Sequence, residues 1–200
     1  MTNDRQFPVH TAETAPPAAR PLMTGTQKLF GFIPSPMARL VTQPAVAGAF
    51  VQMNALWERA SLSAAEREVV VMVVASENGC EYCVAMHTAM LTREGAAPEL
   101  IEALRAGEPL PDARLQALAA FTRSVLRRRG DVVDEAWQAF RQAGFDYSAA
   151  LEVVLGVATY TLSTFANRLT QAPLDPAFEP FRWTPAARDA WNEGGWSQLS

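Results

Sequence analysis

Apolar residues recur at three- and four-residue intervals along most of this chain, and proline, glycine and capping residues break the pattern into helix-length pieces. Pro36 opens a short helix that ends before Pro44, and Pro44 opens a second that runs to about Ala60. Ser63-Ala64-Ala65-Glu66 reads as a capping box. The run behind it, Val69-Val70-Val71-Met72-Val73-Val74, has strand propensity, yet the cap and the length predict a helix buried nearly all round, ended by Asn78-Gly79. A helix from Cys80 to about Glu94 follows. Others are expected at Pro98–Ala106, from Asp112 to before Gly130, at Asp134–Ala143 and at Tyr147–Leu169, the last too apolar to be a surface element. The pattern predicts an all-α bundle with short connections.

The two ends differ. Residues 1–29 are rich in Pro, Ala and Thr, lack periodicity and read as an extended N-terminal arm. Residues 30–172 form the helical domain. Residues 173–200 form an aromatic tail holding Trp183, Trp191 and Trp196, with a helix start expected at Thr184-Pro185; the tail either packs on its own core or covers another subunit, the subunit contact being the favoured role.

Composition narrows the function classes. With 49% hydrophobic residues, 19% charged residues and a formal net charge of −4, the chain lacks the basic face that nucleic-acid binding needs. Arg127-Arg128-Arg129 reads as a solvated helix end. No apolar run reaches the ~20 residues of a membrane span, and Met1–Arg20 lacks the features of a secretory signal. The expectation is a cytoplasmic protein without nucleic-acid or membrane partners, in which a single cysteine pair points to catalysis or metal binding before a structural staple.

The chain has two cysteines and two histidines, and three of those four residues stand together in Cys80-Glu81-Tyr82-Cys83-Val84-Ala85-Met86-His87. On a helix, separations of three, four and seven share a face, so Cys80, Cys83 and His87 form one stripe. A Cys-x-x-Cys just after a helix-breaking glycine sits where free amides and the helix dipole stabilise a thiolate. Thiol redox is the leading reading. Two buried small hydrophobes is the bland one. A zinc site of Cys80, Cys83, His87 and Glu68 is the sharper rival, although no second Cys or His cluster exists and His10 lies in the arm. Glu68, twelve residues before Cys80 and next to the buried run, either joins the stripe or serves the dipole of its own helix. Asn167 and Arg168 line the site or an oligomer contact, or simply end a helix.

The combination of Glu68 with Cys80-x-x-Cys83-x-x-x-His87 resembles the signature of AhpD-like alkylhydroperoxidases in the carboxymuconolactone decarboxylase superfamily. Leu62-Ser63 before Glu66-Arg67-Glu68, Cys80-Glu81-Tyr82-Cys83 and Asn167-Arg168-Leu169 resemble its peroxidase-related members. The resemblance covers roughly residues 30 to 175. It implies an AhpD-like helical bundle assembled as a trimer or hexamer. It further implies a hydroperoxide substrate attacked by Cys83, a resolving and proton-donating Cys80, and a Glu68/His87 proton relay. No bound cofactor is expected, and an external dithiol, lipoyl-bearing or thioredoxin-like, would be the reductant. The best-known family enzymes carry His where this chain has Tyr82. The decarboxylase branch lacks the cysteine pair, which makes its reaction the lesser expectation. The alternatives are a redox sensor without turnover and a zinc-stabilised assembly protein.

Overall fold

The computed structural model describes residues 6–185, and the regular structure among them is entirely helical. In chain order the helices are α1 (Arg20–Phe30), α2 (Ser35–Leu40), α3 (Pro44–Trp57), α4 (Ala64–Glu77), α5 (Glu81–Arg93), α6 (Pro98–Ala106), α7 (Ala113–Arg127), α8 (Asp134–Gln142) and α9 (Tyr147–Leu169). Short 3-10 turns lie at Pro17–Ala19 and Pro176–Phe181. Prolines open α2, α3 and α6, where the missing amide proton would have had no helical partner.

The helix the others surround is α4, which packs on α5, α6, α7 and α9. Its valine-rich run is helical because the cap forms: the Ser63 hydroxyl accepts from the Glu66 amide, and the Ser63 amide donates to the Glu66 carboxylate at 2.8 Å. The other Glu66 oxygen accepts from Arg114 at 2.8 Å, which fastens the start of α4 to α7. Every residue from Val69 to Ser76 is buried, each large apolar side chain contributing roughly 1.5–3 kcal/mol of transfer free energy. Helix C-capping follows the expected chemistry at Asn78-Gly79, with Asn78 still right-handed and Gly79 at φ +64°.

Three expectations need correction. The N-terminal segment 1–29 is not an extended arm from Pro17 onward: α1 occupies Arg20–Phe30, and Ala15, Ala19 and Met23 are buried against Met37, Val41 and Ala47. The apolar residues there are too few for a periodic signal and suffice only because α2 and α3 supply the other half of a small core. Second, α9 is a surface element on one side. Tyr147, Leu151, Val154, Phe165 and Leu169 are exposed, and only 33% of its most apolar window is buried, although by length and composition alone this helix could cross a membrane. Third, Trp183 packs on its own fold, its indole N–H donating to the Arg105 carbonyl at 2.9 Å. Trp191, Trp196 and the helix expected beyond Pro185 lie outside the described residues.

Candidate active site

The cysteine helix begins one residue later than its sulfurs suggest. Cys80 is the N-cap of α5, with extended backbone, and its Sγ accepts from the Cys83 amide at 3.3 Å. The two sulfurs are paired as a disulfide, with the Cα atoms 5.3 Å apart. Both residues are buried.

One turn further along α5, the His87 Nδ1 lies 2.9 Å from a Glu68 carboxylate oxygen of α4. This bond commits one ring nitrogen to the carboxylate, and Nε2 is the other nitrogen of the ring. Both side chains are mostly enclosed, at 5% and 14% exposed. The α4–α5 connection thus brings Glu68 to His87, the outcome that the sequence left open against a merely dipole-serving carboxylate.

A tyrosine from α9 backs the imidazole. The Tyr160 and His87 rings meet edge-on at 5.6 Å, and Trp57 packs on the far side of Tyr160 at 6.4 Å. The Tyr160 hydroxyl donates to Asn54 Oδ1 at 2.9 Å. Burial, reinforced by the Glu68 and Glu58 charges, raises its pKa well above that of an ordinary phenol. Sequence reasoning passed over Tyr160, Trp57 and Asn54. A usable signal existed: Tyr160, Thr164 and Asn167 are polar residues at i, i+4 and i+7, on one face of a mainly apolar helix.

That polar face holds the sulfur turn from the other side. Thr164 Oγ1 accepts from the Asn78 side chain at 2.9 Å, and Arg168 donates to the Asn78 carbonyl at 2.7 Å. The Asn167 side-chain nitrogen lies 3.2 Å from Cys83 Sγ and 3.9 Å from Cys80 Sγ. Asn167 therefore lies against the sulfur pair, and Arg168 against the turn that precedes it.

Between the cysteines, Tyr82 engages the C-terminal segment, its ring edge-on to Phe178 at 5.7 Å. Its hydroxyl donates to Asp175 Oδ2 at 2.7 Å, while Asp175 also accepts from the Ser35 hydroxyl at 2.6 Å and the Ser35 amide at 3.0 Å. Burial first, and the Asp175 carboxylate second, drive the Tyr82 phenol pKa far up, so it remains a donor. Asp175 is also the N-cap of the Pro176–Phe181 turn. This C-terminal strap is locked over α5 and α6 by Arg105, which donates to Thr88 Oγ1 and to the Phe181 and Arg182 carbonyls at 2.9–3.0 Å. A cleft of ≈ 270 Å³ opens between strap and α5, lined by Glu81, Tyr82, Leu174, Glu179, Arg182 and Trp183 among others. Neither sulfur, nor His87 or Glu68, is among its lining residues. No cluster of three or more metal-ligating side chains occurs among the described residues.

The carboxymuconolactone decarboxylase family model matches residues 44–123, the span from α3 into α7 that contains Glu68, Cys80, Cys83 and His87. No curated protein matches the chain. Among solved structures, the alkylhydroperoxidase AhpD core of an uncharacterized peroxidase-related protein from Ralstonia eutropha JMP134 is similar at 23% identity and TM-score 0.76, over 86% of this chain and 93% of that one. An uncharacterized peroxidase-related protein from Silicibacter sp. TM1040 is similar at 21% identity and TM-score 0.70, over 91% and 95%. The debrominase Bmp8 is similar at 17% identity and TM-score 0.73, over 90% and 97%; a variant of it has been solved with 2,3,4-tribromopyrrole.

Proposed function

We propose that this chain, whose residues 44–123 match the carboxymuconolactone decarboxylase family model and whose fold is similar to an AhpD core, is a thiol peroxidase of that superfamily, reducing hydroperoxides through Cys80 and Cys83. The observation that carries the reading is the buried sulfur pair one helical turn from an imidazole whose Nδ1 is held by a carboxylate. In the reduced protein, the Cys83 thiolate attacks the hydroperoxide. An S–O bond forms, the O–O bond breaks, and the departing alkoxide takes one proton to leave as alcohol. The resulting Cys83 sulfenic acid condenses with the Cys80 thiol, forming the disulfide and releasing water. An external dithiol, lipoyl-bearing or thioredoxin-like, then supplies two electrons and two protons and becomes a disulfide itself.

Magnitudes decide which residues limit the rate. Lowering a thiol pKa from ~8.5 to ~6 raises the thiolate fraction at pH 7 about 30-fold. With a nucleophilicity slope of ~0.45 the same change costs about 13-fold in reactivity, a net gain of only about two-fold. A positioned general acid contributes ~10²–10⁴. Protonation of the alkoxide through His87, oriented by Glu68, therefore outweighs thiol acidity; if the Cys80 thiol gives that proton, the relay returns one so that the sulfenic oxygen leaves as water.

The test is a thiol titration. Reduced protein treated with one equivalent of tert-butyl hydroperoxide loses two thiols per peroxide consumed, and turnover follows on adding a lipoyl or thioredoxin-type donor. A thiol count unchanged by peroxide sinks the reading. Stoichiometric zinc that survives mild chelation of the untagged protein sinks it as well.

The chain is also proposed to self-associate through α9. Its exposed positions Tyr147, Leu151, Val154, Ala158, Phe165 and Leu169, with the half-exposed Leu162, are spaced four, three, four, four, three and four apart. The spacing reads the same from either end. A two-fold antiparallel contact centred on Ala158 sets Leu151 against Phe165 and Val154 against Leu162, with the small alanine at the crossing. Such an isologous contact belongs to a dimer or to a hexamer with two-fold axes, and not to a simple trimer.

A further inference from the structure

We infer that Asn167 is a catalytic residue of this centre: its carboxamide N–H stabilises negative charge on the Cys83 sulfur. The inference rests on the thiol-redox reading above and assigns a role inside it.

The first question is which donor serves which sulfur. A Cys-x-x-Cys at a helix start gains stabilisation from free amides, but here the amide concerned, that of Cys83, points at Cys80 Sγ. Cys83 Sγ needs another donor. Among the described residues, the side chain that hydrogen-bonds it is Asn167, buried and reaching across from α9. An amide oxygen in that place would face sulfur lone pairs, so the nitrogen faces the sulfurs.

The donor is held in register rather than left to find its place. Thr164 and Arg168 fasten the Asn78-Gly79 turn to the same face of α9. An amide is also suited to this position by its chemistry. It neither titrates nor carries charge, so it steadies the thiolate without competing with His87 for protons. It serves both half-reactions. When Cys83 attacks, the N–H holds the anion in line. When an incoming dithiol attacks Cys80 Sγ, the S–S bond breaks and its electron pair leaves on Cys83 Sγ, where the same N–H receives it.

Several titratable or charged groups surround Cys83: Cys80 and His87 on its own helix segment, Glu68 from α4 behind His87, Tyr160 and Arg168 from α9, and Tyr82 backed by Asp175 from the strap. Of these groups Asn167 also touches Cys80, at 3.9 Å, and the Cys80→Ser background removes that thiol from the measurement.

The experiment measures Cys83 alone. In a Cys80→Ser background, the rate of alkylation by iodoacetamide is followed against pH, with and without Asn167→Ala and the isosteric Asn167→Asp. Losing a charge-assisted bond predicts an apparent Cys83 pKa higher by about one to two for Asn167→Ala, and higher again for Asp, which adds like charge. A profile that moves by less than about 0.3 pH in either variant, with unchanged circular dichroism, overturns the assignment. The Asp variant keeps the shape of the side chain and preserves the test if the Ala variant does not fold. Peroxide is absent from this measurement. A shifted pKa in a protein that ignores hydroperoxides would leave Asn167's role intact and reject the peroxidase; an unshifted pKa in a protein that forms its disulfide with peroxide would do the reverse.

Discussion

His87 is the residue at which proton delivery and thiol acidity come apart. It is held by Glu68 at 2.9 Å and stands one turn from Cys83. His87→Ala is expected to lower peroxide turnover by about 10²-fold or more while moving the Cys83 pKa much less. Steady-state rates beside the alkylation profile check this, and a loss under about three-fold rules the relay out. The two buried phenols make a separate statement about stability. Tyr82 and Tyr160 both have pKa values raised in the fold, so the folded state keeps protons that the unfolded chain releases above about pH 10. Their contribution is complete below that pH and is lost as the pH climbs past it. The melting temperature should therefore fall between pH 9 and 11, and fall less steeply in Tyr82→Phe. Cys80, Cys83 and His87 were legible because they repeat at helical spacing, whereas Glu68 stands on the preceding helix, was left open by the residues, and entered the set only through the family resemblance. The partner of Tyr82 was not, since Asp175 is 93 positions away and no periodicity links the two.

Among the elements, α4 and α9 show what a pattern can and cannot announce. The Ser63 cap made α4 readable as a helix despite six successive strand-forming residues, because a cap is a local, stoichiometric signal. The burial of α9 was misread for the complementary reason: composition reports that a face is apolar, not what covers it. Nor did the sequence show how closely α9 approaches α3. A Cβ at Gly156 would lie 2.7 Å from the enclosed Trp57 ring. Gly156→Ala should gain about 1 kcal/mol of helix propensity and lose more to overpacking, which costs about 1–3 kcal/mol and more when the neighbour cannot move. A urea midpoint lower than that of the parent is expected; a higher one would mean that Trp57 yields freely. Since Trp57 backs Tyr160, which backs His87, the same variant should also slow turnover.

At the scale of the whole molecule, the described fold leaves one long apolar face uncovered and one tail firmly tied. Phe165→Glu places a charge opposite Leu151 in the proposed two-fold contact, so light scattering should show it dissociating at concentrations where the parent remains associated; equal masses for both would remove α9 from the interface. The tail carries a different consequence. Asp175 starts the strap and at the same time accepts from the Tyr82 phenol of α5 and from Ser35 in the first turn of α2. A stop codon after Leu174 would thus do more than trim an end. It would unbutton the start of α2 from the start of α5, strip the cover from one flank of the cysteines and leave His87 and Glu68 clasped behind them. Such a shortened chain should keep its imidazole–carboxylate clasp and lose the discrimination of its thiols, which would react with bulky and small alkylating agents at nearly the same rate.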